Sequence, residues 1–272
     1  MTNLTNKDQL RIALIQTPIQ LGDPEANVLH IRSLMEKAVG QTPKPDLLML
    51  PEMWNTGYAL EQIQEIADDR GEHSKEWLSS FAKKNDVFII GGSIAEANGD
   101  QITNSMYVFD RQGEEIAKYS KIHLFCLMNE EKYLVPGQEL VTFPVNNDFK
   151  AGVSICYDIR FPEMARSLAL NGAKVLFVPA EWPHPRLHHW RTLLMARAIE
   201  NQMYVVACNT VGDNGEASFF GHSMIIDPWG EIVAEGGEGE EIVTAELSLS
   251  LVDEVRSRIP IFQDRRPELY NK

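Results

Sequence analysis

The stretch Gly152–Glu163, GVSICYDIRFPE, determines how the rest of the chain is interpreted. Its first part continues the apolar run Ala151–Ile155, which predicts a buried strand, and a helix is predicted over 164–171. Cys156 lies between them, where a thiol and the next backbone N–H can both face a crevice, as a nucleophile and an oxyanion hole require. A free cysteine more commonly packs in a core. Both interpretations stay open here, although charged residues directly after a core strand favour function.

Length and charge limit the classes of protein to be considered. The 272 residues, 44% hydrophobic and 24% charged, are ordinary for one large or two small globular domains. A formal net charge of −14 argues against nucleic acid or an anionic membrane as a partner. No apolar run has the length of a membrane span, and the first residues, MTNLTNKDQLR, lack the apolar segment of a signal peptide. We therefore expect a cytoplasmic protein.

The cysteines and histidines give no sign of a disulfide framework or a metal site. Three cysteines, Cys126, Cys156 and Cys208, are an odd number and suit free thiols in a reducing compartment. We expect Cys126 and Cys208 to pack in the interior. The adjacent His188 and His189 would diverge on one helix, so a zinc site is not predicted. The chemistry proposed below needs no metal and no cofactor.

The pattern along the chain predicts a single α/β domain of many strands with helices outside. We place this domain at residues 10–258, after a flexible leader at 1–9 and before a tail at 259–272. Residues 122–140 show few helix or strand signals, and irregular segments of this length inside a domain are usually functional. The tail carries Ile261 and Phe262 and is too apolar to float freely, so we expect it to contact the partner subunit of a dimer.

Two more charged residues follow predicted strands, as Cys156 does. Glu52 comes just after the apolar LLMLP, and Lys121 follows a strand and precedes the apolar IHLF. Strand ends in such sheets collect functional groups into one crevice. A carboxylate could take the thiol proton, while an ammonium and the Tyr157 N–H could stabilise an oxyanion. Each residue alone is more often a surface charge or a helix cap, so the prediction of acyl transfer from nitrogen depends on all three together.

Several blocks resemble the nitrilase superfamily of carbon–nitrogen hydrolases: LPEMWNTGY, KYSKIHLF, CYDIRFPE, HHWRTLLMARAIENQMYVVACN and GHSMIIDPW. They occur in order from about Leu10 to the tail. The resemblance implies a four-layer α–β–β–α sandwich of two packed mixed sheets with helices outside. It implies a catalytic Glu52, Lys121 and Cys156, and a second glutamate at Glu130 that holds the lysine and steers the substrate amide. A shifted loop would instead place Glu131 there, and Glu130 could also be a surface charge.

Within the superfamily the chain is most similar to the ω-amidase branch, on the forms CYDIRFPE and EWPHPRLHHW. The branch implies deamidation of 2-oxo acid amides such as 2-oxoglutaramate and 2-oxosuccinamate through a thioester, with release of ammonia. Alternatives are an N-carbamoyl amine hydrolase or a nitrilase of the same superfamily, or a non-enzymatic binding protein on the same fold. The family also packs helical faces of two subunits together, which implies a homodimer here.

A substrate of this kind carries a carboxylate, so a local cation is needed against the negative field of the protein. Arg160 is the first candidate for a bidentate clamp, with a salt bridge to Asp158 or Glu163 as the alternative. Arg186 is a weaker candidate, and Asp158 is expected to orient the turn rather than react. Three residues are expected either to line the cleft or to belong to the core: Tyr58, Trp182 and His184.

Overall fold

A computed structural model describes residues 8–145, 149–215 and 217–270. The expected leader falls mostly on residues 1–7, which lie outside the described residues. Gln9 already belongs to the first strand, and Asp8 accepts a hydrogen bond from the backbone N–H of Ser250 at 2.7 Å. No helix in the described ranges is long and apolar enough to cross a bilayer.

The strands of the described chain are numbered in order: β1 (Gln9–Gln16), β2 (Leu47–Met49), β3 (Asp68–Asp69), β4 (Phe88–Ile90), β5 (Ile94–Asn98), β6 (Gln101–Phe109), β7 (Glu115–Ser120), β8 (Thr142–Pro144), β9 (Lys150–Val153), β10 (Ala173–Ala180), β11 (Tyr204–Asn209), β12 (Val211–Asp213), β13 (Ser218–Phe220), β14 (Met224–Ile226), β15 (Ile232–Glu235) and β16 (Glu241–Ser248). The helices are α1 (Pro24–Val39), α2 (Ile63–Ile66), α3 (Glu72–Asn85), α4 (Glu130–Tyr133), α5 (Pro162–Leu170), α6 (Leu187–Asn201), α7 (Ser250–Arg258), α8 (Ile261–Asp264) and α9 (Pro267–Tyr270).

Two mixed sheets contain most of the strands. The first has the order β16-β1-β2-β4-β6-β5-β3, with β7 also paired to β6. The second has the order β15-β14-β11-β10-β9-β8. Strands β1, β2 and β4 run parallel in the first sheet, and β9, β10 and β11 run parallel in the second. Parallel strands end at one edge of their sheet, so each sheet presents a row of carboxyl ends where functional groups can collect.

The alternation of side chains along β1 shows how the layers are stacked. Leu10, Ile12 and Leu14 point into the core shared with the second sheet. Ala13 and Ile15 point the other way and pack with α1 and α3. Helices α5 and α6 cover the outer face of the second sheet through buried apolar residues: Met164, Leu168, Trp190, Leu194 and Ala198. The four-layer α–β–β–α sandwich is therefore confirmed.

Two segments are more ordered than their sequences indicate. The segment 122–140 contains a 3₁₀ turn at Cys126–Met128 and the short helix α4. The tail forms α8 and α9, and Phe262 lies against the guanidinium groups of Arg166 and Arg256 of its own chain at 5.2 and 4.9 Å. This part of the tail therefore packs on its own subunit.

Candidate active site

Glu52 is held in the site by several hydrogen bonds. It lies three residues after β2 and is fully buried. Its Oε1 accepts hydrogen bonds from Tyr58 Oη (2.6 Å), Asn104 Nδ2 (2.8 Å) and Lys121 Nζ (2.9 Å), while its Oε2 accepts the Glu181 N–H at 2.8 Å. Four donors around one carboxylate fix its position and favour its ionised form.

Lys121 follows β7 and is only 1% exposed. Its Nζ donates to Glu130 Oε1 at 2.7 Å, to Glu52 Oε1 at 2.9 Å and to Tyr58 Oη at 3.1 Å. An ammonium has three hydrogens, so these contacts use all of them. Its backbone N–H also donates to the Asn104 carbonyl at 2.9 Å, which fixes the strand end that carries it. Lys121 therefore joins two buried carboxylates and is no surface cation.

Cys156 begins a 3₁₀ turn, Cys156–Arg160, that follows β9. Its φ of +46° lies in the left-handed region, which costs a non-glycine residue about 1 kcal/mol or more and is typical of functional sites. Asp158 holds the turn: its carboxylate accepts the Ile155 N–H (2.9 Å), the Tyr119 hydroxyl (2.6 Å) and the His123 N–H (3.0 Å). Asp158 thus fixes the backbone around the thiol.

The two candidate positions for the second glutamate differ sharply. Glu130 opens α4, is 1% exposed and accepts from Lys121, whereas Glu131 is exposed. Tyr58 Oη lies 3.0 Å from Glu130 Oε1. The other oxygen, Glu130 Oε2, is buried without a hydrogen-bond partner among the described residues. The geometry therefore favours Glu130 and leaves one of its oxygens for a ligand.

The charges of the cluster move the pKa values of its members apart. Burial opposes the ionisation of Glu52, but Lys121 and the donated hydrogen bonds outweigh it and lower the pKa of Glu52. Burial also opposes the charge on Lys121, yet Glu52 and Glu130 raise its pKa. Burial raises the pKa of Glu130, and the neighbouring Glu52 raises it further against the effect of Lys121. The cluster accordingly holds one firmly ionised carboxylate beside one firmly charged ammonium.

The same environment keeps the Cys156 thiol protonated. Burial and the negative charge of Glu52 raise the pKa of Cys156 well above its usual value, and Lys121 only partly opposes this. A thiol of this kind is a poor nucleophile until a base removes its proton. Because Glu52 is ionised and interacts with the thiol, it is placed to act as that base.

The thiol faces a narrow inner cavity of about 20 Å³, lined among others by Glu130, Cys156, Tyr157 and Glu181. A wider outer groove of about 600 Å³ adjoins it. Five residues line both spaces and form the boundary between them: Tyr58, Phe125, Met128, Pro183 and Arg186. A cavity of about 20 Å³ has room for roughly one water molecule. Binding of a larger substrate must therefore displace residues of this boundary.

The predicted substrate-binding residues lie at different depths. Arg160 lines the inner cavity, and its guanidinium lies 4.6 Å from the centre of the buried Trp182 ring. In the part of the chain that the structure describes, neither Arg160 nor Arg186 forms an ion pair, so the expected alternative of a salt bridge to Asp158 or Glu163 is not observed. His184 is exposed and lines only the outer groove. Tyr58 lines both spaces and also belongs to the polar cluster.

Two buried residues of the site are absent from the sequence prediction. Glu181 directly follows β10, which is the same signal that indicated Glu52, so the sequence could have revealed it. Asn104 lies inside β6, where nothing in the sequence distinguishes it from a packing residue. Of the other cysteines, Cys208 is buried as expected, and burial raises its pKa. Cys126 is exposed, so the expectation that it packs is wrong; it lies on the outside of the 3₁₀ turn.

The family model for carbon–nitrogen hydrolases matches residues 11–257. The chain belongs to this family. A 2-oxoglutaramate amidase of Bacillus subtilis is 47% identical to this hydrolase over 259 residues, which cover 95% of this chain and 98% of the relative. Omega-amidase NIT3 of Saccharomyces cerevisiae is 34% identical and covers 97% of this chain and 95% of its own. The resemblance noted in the sequence and the prediction of a hydrolytic enzyme are confirmed.

A solved structure supports the fold assignment of this hydrolase. The crystal structure of S. cerevisiae Nit3, a member of branch 10 of the nitrilase superfamily, superimposes with a TM-score of 0.86 at 33% identity. The alignment covers 93% of this chain and 94% of Nit3. The family match and the amidase relatives set aside the non-enzymatic alternative.

Proposed function

We propose that this hydrolase is an ω-amidase that cleaves the amide of 2-oxo acid amides such as 2-oxoglutaramate through a thioester at Cys156. The observation that carries the proposal is the buried cluster of Glu52, Lys121 and Glu130, of which Glu130 lines the same inner cavity as the Cys156 thiol. Arg160, which forms no ion pair among the described residues, lies in the wall of that cavity. The similarity to 2-oxoglutaramate amidase and ω-amidases supports the same substrate class.

In the first half-reaction Glu52 removes the thiol proton while the Cys156 sulfur attacks the amide carbon. The tetrahedral intermediate collapses when Glu52 returns that proton to the leaving nitrogen, and ammonia departs. A thioester between the sulfur and the acyl group remains. The raised pKa of the thiol requires this concerted proton transfer, since little thiolate exists at rest.

The oxyanion of that intermediate needs donors that are free or can be exchanged. The first N–H groups of a helical turn have no partner within the turn, so the Tyr157 N–H is one donor. Lys121 is the second, although its three hydrogens are all engaged at rest. We infer that the oxyanion replaces Tyr58 Oη, which is the longest of the three contacts and the one to a neutral group. The ammonium then gains the oxyanion as an additional anionic partner only during the reaction.

The second half-reaction uses the same groups in reverse roles. Water enters the position that ammonia has left, Glu52 takes one of its protons, and the oxygen attacks the thioester carbon. Collapse of the second tetrahedral intermediate breaks the C–S bond, and Glu52 returns the proton to the sulfur. Glu130 holds Lys121 in place throughout, and its Oε2, which has no hydrogen-bond partner in the described chain, is offered to the substrate amide.

The far end of the substrate is assigned to Arg160, with Arg186 nearby. Both guanidinium groups border the inner cavity. Burial lowers the pKa of Arg160, and the positive charge of Arg186 lowers it further, so the two cations interact. Two close cations with no ion-pair partner among the described residues form a subsite for an anion. They supply the local attraction that an overall charge of −14 does not. The Trp182 ring packs against the Arg160 guanidinium at 4.6 Å, and Tyr58 and His184 line the outer groove.

Ammonia release measured over a panel of substrates tests the assignment. We expect 2-oxoglutaramate and 2-oxosuccinamate to be hydrolysed with higher kcat/KM than neutral amides of similar length, because only the 2-oxo acids engage the arginines. N-carbamoyl amines and nitriles represent the two other chemistries of the superfamily. A preference for either of them would overturn the substrate assignment while leaving the hydrolase assignment intact.

The variant Arg160→Gln is expected to lower kcat/KM for 2-oxo acid amides by about 10- to 100-fold, the usual effect of losing a charged hydrogen bond. Neutral amides of the same length should change less than threefold. Arg191→Gln is a matched control, because Arg191 pairs with Glu235 at 2.5 Å and lines neither space. Equal losses on charged and neutral amides would show that Arg160 is structural.

We also propose that the enzyme is a cytoplasmic homodimer. The three cysteines are free, as a reducing compartment allows. The ends of α5 and α6 and nearby loops expose large apolar side chains, which a second subunit would cover: Leu170, Ile199, Trp229 and Ile259. The tail would add Leu269 and Tyr270, which are 59% and 56% exposed. Sedimentation at micromolar concentration should give the mass of two chains, and a mass of one chain would contradict the dimer.

A further inference from the structure

Glu181 is a buried acid that the mechanism above does not use. Its side chain is 1% exposed, and neither carboxyl oxygen has a hydrogen-bond partner among the described residues. Glu52, which is equally buried, has four donors. Burying a carboxyl group without a hydrogen-bond partner destabilises the folded protein, and apolar packing does not compensate for that loss. Because Glu181 lines the same cavity as Cys156, a ligand in that cavity is the partner its oxygens can reach.

The backbone places Glu181 beside the general base. Its N–H donates to Glu52 Oε2 at 2.8 Å, so the two side chains start from adjoining positions at the ends of β2 and β10. In the mechanism proposed above, on which this inference depends, Glu52 hands its proton to the leaving nitrogen. The nitrogen must therefore lie next to Glu52 and within the space that Glu181 borders.

The surroundings keep the Glu181 side chain neutral. Burial raises its pKa well above the usual value, Glu52 and Glu130 raise it further, and Lys121 only partly compensates. A neutral carboxyl group has one O–H donor and a carbonyl oxygen that accepts. That carbonyl oxygen can accept an N–H of an unsubstituted amide.

We propose that Glu181 is a specificity-determining residue of the leaving-nitrogen subsite, which restricts the enzyme to unsubstituted –CONH₂ groups. Its carbonyl oxygen accepts one of the two amide N–H groups, and its bulk occupies the space that a substituent on the nitrogen would need. Glu181 is 1% exposed and borders the cavity beside Glu52, so a substituent on the nitrogen would meet its side chain. The hydrolytic water later occupies the same subsite and meets the same side chain.

The test compares an unsubstituted amide with its N-methyl derivative, by following release of ammonia and of methylamine. Glu181→Ala empties the space beside the nitrogen, so we expect the ratio of kcat/KM for the N-methyl amide to that for the parent amide to rise at least tenfold. Glu181→Gln keeps the size and a carbonyl acceptor, and its ratio should stay within threefold of wild type. Glu131→Ala, at the exposed neighbour of Glu130, is the matched control and should leave both rates unchanged.

A gain in activity on the N-methyl amide is not a consequence of general damage to the fold. A rise of less than tenfold in Glu181→Ala, or an equal rise in Glu181→Gln, would overturn the proposal. We also expect Glu181→Gln not to melt at a lower temperature than wild type, because it keeps the size of the side chain and no described hydrogen bond of that side chain is lost. A clear loss of stability in Glu181→Gln would indicate a structural residue. The ratio is measured on the unsubstituted amide that the wild type hydrolyses best. If the assignment to 2-oxo acid amides is wrong, the substrate panel shows it, and the comparison of the two Glu181 variants still tests the subsite for the leaving nitrogen.

Discussion

Replacing Cys156 with alanine is expected to lower ammonia release by at least about 10⁴-fold, as loss of a covalent nucleophile does in other hydrolases. Cys156 is the one cysteine among the described residues that lines the inner cavity, and an alanine methyl group cannot form the thioester. The other groups of the cluster hold one another without the sulfur, since Glu52 keeps its bonds to Lys121, Tyr58, Asn104 and Glu181. The fold and the melting temperature should therefore change little. Steady-state kinetics measures the loss of turnover, and thermal unfolding measures the stability of the variant.

The two remaining cysteines provide matched controls for this variant. Cys208→Ala removes a buried thiol whose Sγ contacts the Ile15 carbonyl at 3.5 Å, and Cys126→Ser removes an exposed one. Both variants should retain turnover. Mass spectrometry of wild type during turnover should show the acyl group on the peptide that contains Cys156. Residual ammonia release by Cys156→Ala above about 1% of wild type would mean that the nucleophile is another group.

The sequence predicts the three site residues that stand directly after predicted strands. Glu52 follows β2, which is parallel to both of its neighbours, and Cys156 follows β9, which is parallel to β10 and antiparallel to β8. Lys121 follows β7, which pairs with β6 in the first sheet. Since the two sheets pack face to face, these ends meet although they are far apart along the chain. Apolar runs interrupted by one charged residue are visible without a structure, and this is why these three could be identified together.

The finer organisation depends on distances that no local pattern encodes. Tyr58 is expected from the sequence either to line the cleft or to belong to the core; it lines both spaces, and its hydroxyl also joins Glu52 to Lys121 within a buried network. Asn104 supports Glu52 from the middle of β6, where a polar residue facing inward looks like any other strand residue. The placement of Glu130 rather than Glu131 is decided by where the helix α4 begins. A shift of the chain by one residue would exchange the two neighbouring glutamates, and composition and periodicity do not fix a position to within one residue.

Replacing Lys121 with methionine is expected to lower kcat by about 10²- to 10³-fold while changing KM by less than fivefold, as loss of an oxyanion donor does. The ammonium bonds at rest to two carboxylates and a hydroxyl, so it gains its anionic substrate partner only in the transition state. Its removal also takes away the charge that lowers the pKa of Glu52. Because Glu52 acts as a base only when ionised, the acidic limb of the kcat/KM profile should move to higher pH.

The same substitution leaves Glu52 and Glu130 buried together without their shared cation, which should cost about 3–5 kcal/mol of stability. The double variant Lys121→Met/Glu130→Gln separates this loss from the loss of catalysis, because it removes the second carboxyl charge at nearly constant shape. We expect it to recover much of the melting temperature and none of the turnover. Lys118→Met is the matched control and should change kcat less than twofold, because Lys118 lies on β7, the strand that Lys121 follows, and pairs with Glu96 at 2.7 Å while 42% exposed. If turnover returned together with stability in the double variant, Lys121 would only be holding the site together and the oxyanion would have to be stabilised by the turn at Tyr157 alone.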